Sequence, residues 1–335
     1  MRPFTYVRAQ SAPNAVQAVA AAGDGGKFLA GGTTLYDLMK LDVEAPTTIV
    51  DIRGLEGMTD ITVDATTGLR VGAMASMTEV ATHPDVDRAF PALAESLSLA
   101  ASRQLRNMAS VGGNLLQRTR CAYFRGNGDL SYPCNKREPG SGCSAIGGLN
   151  RGHAVLGGSD ACIALYPGDW AVALAAFDAS IETLSPRGTR TISIHDLHRE
   201  PGDTPWVEHT LEPDELITTI TVPSLSYGRA STYYKIRDRE SYAFALASAA
   251  VAVDLDGDTV REARIAMGGV ATRPWRARDA ERSLAGQPLI ERTARQAGEL
   301  AMAGASPGRH NRYKVELAIR TVADALRIAG ERGDP

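Results

Sequence analysis

Four cysteines, Cys121, Cys134, Cys143 and Cys162, fall inside one 42-residue window, and the rest of the 335-residue chain contains none. Four thiolates are enough to enclose a metal centre. The window is also rich in loop-forming residues: Gly126, Asn127, Gly128, Pro133, Pro139, Gly140, Gly142, Gly147 and Gly148. It lacks a long apolar run and reads as an irregular excursion that needs a staple. The spacing, C-x12-C-x8-C-x18-C, leaves several chemistries open. Disulfides would suit an oxidising compartment. A four-cysteine zinc site usually shows short C-x2–4-C knuckles, which are missing here. An iron–sulfur cluster takes four thiolates at more variable spacing. Separately buried thiols, packing as small hydrophobes, are the plainest alternative. Arg118, Arg120, Arg125, Lys136, Arg137 and Arg151 surround the cysteines. Such charge lowers thiol pKa and offsets a thiolate-ligated cluster.

A second feature is a pair of double glycines. Lys27-Phe28-Leu29-Ala30-Gly31-Gly32-Thr33-Thr34-Leu35 reads as a strand, a glycine turn, two hydroxyls and a helix start. Glycines let backbone approach a ligand closely, and amides at a helix start favour an anion such as a diphosphate. The pattern is not G-x-G-x-x-G, so no Rossmann site is indicated. A tight turn capped by Thr33 or Thr34 would look the same. Ser110-Val111-Gly112-Gly113-Asn114 repeats the arrangement, and two such loops can hold the two phosphates of one dinucleotide from opposite sides.

The elements around these loops form an alternating pattern. Extended segments are expected at Phe4–Arg8, Lys27–Ala30 and Thr48–Ile52, the last a buried parallel strand. Helices are expected at Ala15–Ala22, Leu35–Leu41, Ser76–Thr82, Ala89–Leu99 and Asp169–Phe177. Ile61–Val63, Leu69–Val71 and a hairpin at Ser180–Leu184 and Arg190–Ile192 are further strands, and Glu215–Val222 alternates like a half-buried one. Pro223–Arg229 reads as a domain boundary. Beyond it, strands are expected at Ser231–Arg237, Ala243–Leu255 and Glu262–Gly269, then helices at Thr293–Met302 and Val315–Ala329, with a frayed tail at Gly330–Pro335. The net charge of −3 argues against general nucleic-acid affinity. There is no apolar stretch of about 18 residues, and the N-terminus reads as neither a secretory nor a twin-arginine signal. The chain is expected to be cytoplasmic, or exported bound to a partner.

The two glycine loops resemble the FAD pyrophosphate loops of the xanthine dehydrogenase/carbon monoxide dehydrogenase flavoprotein family. Gly168-Asp169, Glu215-Leu216-Ile217, Tyr234-Lys235-Ile236-Arg237 and Ser241-Tyr242-Ala243-Phe244-Ala245-Leu246-Ala247 continue the resemblance in order, over nearly the whole chain. It implies an α+β chain: a two-subdomain FAD-binding fold of the PCMH/vanillyl-alcohol-oxidase type at 1–223, divided near residue 55, and at 224–330 a C-terminal α/β domain with a small antiparallel sheet. The insert, about 118–162, resembles one branch of the family, the FAD-binding middle subunits of bacterial periplasmic aldehyde oxidoreductases. For that branch the resemblance implies a [4Fe–4S] cluster on Cys121, Cys134, Cys143 and Cys162.

Carried over residue by residue, the family implies that Lys27, Phe28, Leu29, Ala30, Gly31, Gly32, Thr33, Thr34 and Leu35 wrap the FAD diphosphate. Ala101, Ser110, Gly113, Asn114 and Leu116 complete the second loop and its wall. Asp169 accepts from FAD hydroxyls or caps the helix behind it. Ile217 packs on the adenine or flavin, and Lys235 lies near the isoalloxazine. Where the family often has an aromatic residue, Ala100 and Ala101 are both small. The six histidines (His83, His153, His195, His198, His209, His310) form no catalytic grouping and are expected mostly at the surface. With no group for substrate chemistry, the chain reads as a relay subunit. The resemblance implies a large molybdenum-cofactor partner that oxidises an aldehyde to a carboxylate, a small partner with two [2Fe–2S] clusters, an external electron acceptor, and a periplasmic heterotrimer exported on a partner's signal. Two rivals stand beside this: service to another molybdenum hydroxylase, such as a 4-hydroxybenzoyl-CoA reductase or xanthine dehydrogenase, and a scaffold with a structural zinc.

Overall fold

The computed structural model describes residues 1–126 and 131–333; Asn127 and Gly128 of the cysteine window and the last two residues lie outside them. Near the N-terminus β1 (Thr5–Arg8), β2 (Gly26–Leu29) and β3 (Thr48–Asp51) form a parallel sheet in the order β1-β3-β2. The helix Ala12–Ala22 crosses between β1 and β2, its start fixed by the Ser11 hydroxyl accepting from the Asn14 amide. The β-branched run of β3 is central and mostly buried, as a parallel strand paired on both edges must be.

A five-stranded antiparallel sheet follows, built from β4 (Ile61–Asp64), β5 (Gly68–Gly72), β6 (Ser180–Ser185), β7 (Gly188–Ser193) and β8 (Leu216–Val222) in the order β4-β5-β8-β6-β7. The expected half-buried character of Glu215–Val222 is not found. The central strand β8 is buried at five of its seven residues, with the helices Ala12–Ala22 and Val111–Leu115 packed against it. The helix expected over Ala89–Leu99 runs Pro91–Ser98, and a further helix that was not expected, Pro84–Ala89, precedes it. Pro91 forces the break, because a residue before proline is pushed out of helical backbone, and Phe90 sits at φ −142°, ψ 66°. Helix Trp170–Ala176 is apolar all round and wholly buried, packed against β10 and β11 of the next sheet.

The C-terminal part holds β9 (Ser231–Ile236), β10 (Ala247–Asp256), β11 (Thr259–Gly268) and β12 (Trp275–Arg276), antiparallel in the order β12-β11-β10-β9. Helices Glu291–Ala301 and Tyr313–Gly333 close a second apolar core beneath it. The tail is helical through Gly333 rather than frayed from Gly330. Gly330 is buried, and Arg332 donates to the Ser231 carbonyl at 2.6 Å and pairs with Glu95.

Asp178 ties the two parts together. It sits in left-handed backbone (φ 51°) after the buried helix. Its carboxylate takes His195, Arg264, Arg276 and Arg278 at 2.7–3.3 Å. Hydrogen bonding from His195 and the facing guanidiniums hold this carboxyl well below the usual range, against the opposing effect of burial. A depressed carboxylate pKa stabilises the fold above the unfolded-state value and loses that contribution as pH falls. Asp178→Asn is therefore expected to cost about 2 kcal/mol at neutral pH, read as a lower denaturant midpoint, and to flatten the fall in stability below about pH 4.

Candidate functional site

The first glycine loop lies directly on the second. A Cβ on Gly31 would come within 1.8 Å of the Met108 carbonyl oxygen, so only glycine lets the loop sit there. The second loop is registered by backbone bonds to the segment after β5: Met77 N to Ala109 O, Val111 N to Ala75 O and Gly112 N to Ala73 O, at 2.8–2.9 Å. The Ser110 hydroxyl accepts from the Gly113 amide and starts the short helix Val111–Leu115. Thr34 occupies the cap position of helix Leu35–Lys40, but its hydroxyl makes no capping bond.

Between the loops opens a cleft of about 1310 Å³. Of the residues singled out from sequence, Lys27, Phe28, Ala30, Gly31, Gly32, Thr33, Thr34 and Leu35 line it from the first loop. Ala101, Ser110, Gly113, Asn114 and Leu116 line it from the second, with Asp169 and Ile217 opposite. Leu29 and Lys235 are not on this wall. The Lys235 ammonium stands behind Asp169, 2.8 Å from its Oδ2, and also donates to the Leu99 carbonyl. It is 1% exposed, so an open cation beside the cofactor is not what the fold presents. Asp169 heads helix Trp170–Ala176 without a side-chain capping bond. Its Oδ1 instead accepts from the Tyr233 hydroxyl at 2.6 Å. Burial raises the Asp169 carboxyl while Lys235 and Tyr233 oppose it, and burial beside Asp169 holds the Tyr233 proton in place.

Two features of the wall mark it as built for a ligand. The Asn114 Oδ1 is buried and has no hydrogen-bond partner among the described residues, a costly state unless something docks there. Ala101 sits at φ 46°, which a side chain with a Cβ tolerates poorly and which clusters at functional sites. Sequence reasoning placed Ala101 on the wall of the second loop through the family resemblance and noted its small size, without the backbone strain. The aromatic residues at the rim come from elsewhere: Trp206, Tyr242 and Phe244, all substantially exposed.

The end of the second loop is held by a residue that sequence reasoning placed at the surface. His198 is buried; its Nε2–H donates to the Leu115 carbonyl at 2.8 Å, and the Tyr166 hydroxyl reaches the same oxygen at 3.1 Å. The two rings lie 4.4 Å apart. His153 is buried as well, its Nε2 3.2 Å from the Cys121 sulfur. None of the six histidines is fully exposed. The Asn-Arg-Gly-His context of His153 was the available signal; nothing local pointed to His198.

The described residues of the cysteine window form a clasp. Cys134 and Cys143 pair across an isolated bridge. The neighbouring Cys162 thiol and nearby amides lower the Cys143 pKa, and Cys143 together with burial raises Cys162. Burial pushes Cys121 up to about 11, with Cys134 and Cys143 near enough to add to it. All four are free thiols, so disulfides are not formed. Among the described residues no three His, Cys, Asp or Glu side chains group around a single-ion site. The surrounding cations mostly do not face the sulfurs. Arg118 pairs with Glu44 and Glu208, Lys136 with Glu208, Arg120 and Arg125 with Asp37, and Arg151 with Asp238. Lys136 still lowers Cys162. Phe124 and Cys134 pack on Leu38 of the helix that follows the first loop. The window's end joins the C-terminal core through the Val155 amide to Val270 O and Asn311 to the His153 carbonyl.

Residues 2–225 match the model of the FAD binding domain in molybdopterin dehydrogenase, and residues 232–329 match the CO dehydrogenase flavoprotein C-terminal domain. The chain belongs to the FAD-binding medium subunits of the xanthine/CO dehydrogenase family. Among its relatives, the aldehyde oxidoreductase FAD-binding subunit of Escherichia coli is 46% identical, over 97% of this chain and 98% of that one. The carbon monoxide dehydrogenase medium chain of Afipia carboxidovorans is 26% identical, over 98% of this chain and 96% of that one. The solved carbon monoxide dehydrogenase of Hydrogenophaga pseudoflava superposes with a TM-score of 0.76 at 25% identity, covering 99% of this chain and 98% of that one. This medium subunit is thus part of a molybdenum hydroxylase-type oxidoreductase, and FAD is its cofactor.

His198 sets a pH limit on the subunit. Burial lowers its pKa to about 4, against about 6.5 in an unfolded chain. The unfolded state therefore binds the proton first, so stability is full above about pH 6.5 and lost as pH falls toward 4. Thermal melting of the wild type should drop across that window. His198→Gln, which keeps an N–H donor but cannot charge, should melt with a shallower acid limb.

Proposed function

We propose that the cleft holds FAD with its diphosphate between the two glycine loops. The backbone amides of Gly31–Leu35 would hold the diphosphate with the second loop closing the other side, Asn114 Oδ1 and Asp169 would accept from cofactor hydroxyls, and Ile217 and Leu116 would cover the apolar rings. The observation that carries this reading is the face-to-face seating of the loops, in which Gly31 leaves no room for a side chain against Met108. Bound FAD supplies a carrier that takes electrons singly from iron–sulfur centres and passes them on singly or in pairs. The chain's own residues bind and orient it. Lys235, clamped between Asp169 and Leu99, shapes the wall from behind.

The full reading is an electron-transfer subunit of a molybdenum-dependent aldehyde oxidoreductase. It would work with a large molybdenum-cofactor subunit and a small subunit carrying two [2Fe–2S] clusters, exported with a signal-bearing partner and reducing an external acceptor. Its support is the 46% identity, over nearly the full length, to an aldehyde oxidoreductase FAD-binding subunit. We further assign a [4Fe–4S] cluster to Cys121, Cys134, Cys143 and Cys162. Its support is four reduced cysteines on one insert, with Cys134 and Cys143 paired across a bridge and the Cys121 sulfur 3.2 Å from His153 Nε2. A four-cysteine zinc site usually shows short C-x2–4-C knuckles, which the spacing here lacks, and cluster spacings vary more between proteins; that favours the cluster.

Purification with native partners should give flavin bands with a broad iron–sulfur shoulder and aldehyde-dependent dye reduction. A colourless preparation with stoichiometric zinc would overturn the relay reading. Cys134→Ser should bring the iron of this subunit to background while the flavin stays bound at saturating FAD. Gly31→Ala should do the opposite, weakening FAD binding by more than tenfold, since roughly 1.4 kcal/mol of strain suffices for that, while leaving iron content unchanged.

A further inference from the structure

We propose that Arg120, a residue of the cysteine insert, is a direct ligand of the FAD diphosphate. This rests on the reading that the cleft takes the diphosphate at the glycine loops. Arg120 lines that cleft together with Thr33 and Thr34. Its guanidinium lies over the Phe244 ring, 5.1 Å from the centroid, which fixes its plane. Its Nη1 reaches Asp37 Oδ2 at 3.3 Å, but the same oxygen also takes Arg125 Nη2. One carboxylate between two guanidiniums leaves positive charge in excess on this wall. The other insert cation on the wall is better matched: Arg118 is held between Glu44 and Glu208.

The Arg120 Nε is buried and has no partner among the described residues. A buried N–H on a charged group that lacks an acceptor is costly, so a ligand oxygen there relieves a real deficit. The diphosphate is the anionic part of oxidised FAD, and a guanidinium presents donors in a planar fork suited to phosphate oxygens. Asp37, one turn into the helix after the first loop, competes for the same guanidinium. Arg120 thus both offsets Asp37 and offers its remaining donors to the cofactor.

The test is FAD titration of the assembled complex after its flavin has been removed, followed by flavin fluorescence, with iron content and melting temperature measured alongside. Loss of one charge-assisted contact in Arg120→Gln should raise the FAD dissociation constant roughly 10- to 100-fold, with the flavin midpoint potential unchanged. Arg120→Lys, which keeps the charge without the fork, should fall between. Asp37→Asn removes the competing carboxylate and should tighten FAD binding. A bridge that served only to hold the insert would give weaker binding in Asp37→Asn, and that result overturns the proposal. So does an unchanged dissociation constant in Arg120→Gln, or a shifted midpoint potential with oxidised FAD bound normally, which would place the guanidinium at the ring instead. Failure of the wild type to bind FAD would undo the cleft reading itself, a separate outcome from any of these.

Discussion

The contact of Gly31 with the Met108 carbonyl sets the geometry of this subunit. The parallel sheet carries the first loop, and the segment before the second loop carries Met108. The cleft between them exists in this form only if the two backbones can approach closely, and a single methyl group would push them apart. Everything else serves to hold that approach. Backbone bonds to Ala73, Ala75 and Met77 register the second loop, and His198 and Tyr166 anchor its last carbonyl. Because this carbonyl can only accept, it selects the neutral Nε2–H form of His198, and burial keeps the ring in that form.

The cysteine insert is wedged against this arrangement rather than appended to it. Its cations meet carboxylates: Lys27, Glu44, Arg118, Glu208 and Lys136 form a continuous alternating chain from β2 to the insert. Partly buried charges need such matching, since each unpaired one carries a desolvation cost. The insert is fastened on three sides: by this chain, by the apolar contact of Phe124 and Cys134 with Leu38, and by the bonds of Asn311 and Val270 to its end.

Much of this was legible along the chain. The double glycines, the hydroxyl residues beside them and the clustered cysteines are local signals, because turn-forming and ligand-bearing residues act through their own backbone or sulfur. Strands β1 to β3 and the C-terminal helices followed from β-branched runs and apolar periodicity. Several of the errors share one cause. β8 alternates in hydrophobicity, yet helices brought in from elsewhere in the chain pack on it and bury five of its seven residues. Lys235 reads as a strand lysine open to a ligand, but Asp169, 66 residues earlier, draws it behind the wall. His153 and His198 look like surface histidines until distant loops close over them.

The sequence by itself determined the cofactor class, the two double-glycine loops and the four clustered thiols, because each depends on residue type within a few positions. Only the tertiary structure decided which charges remain free. Asp37 meets Arg120 and Arg125 more than 80 residues away, Glu208 meets Arg118 across 90, and Asp169 takes Lys235. Pairing of charge is a property of distance in space, set by how sheets and loops pack, and a linear chain carries no record of it.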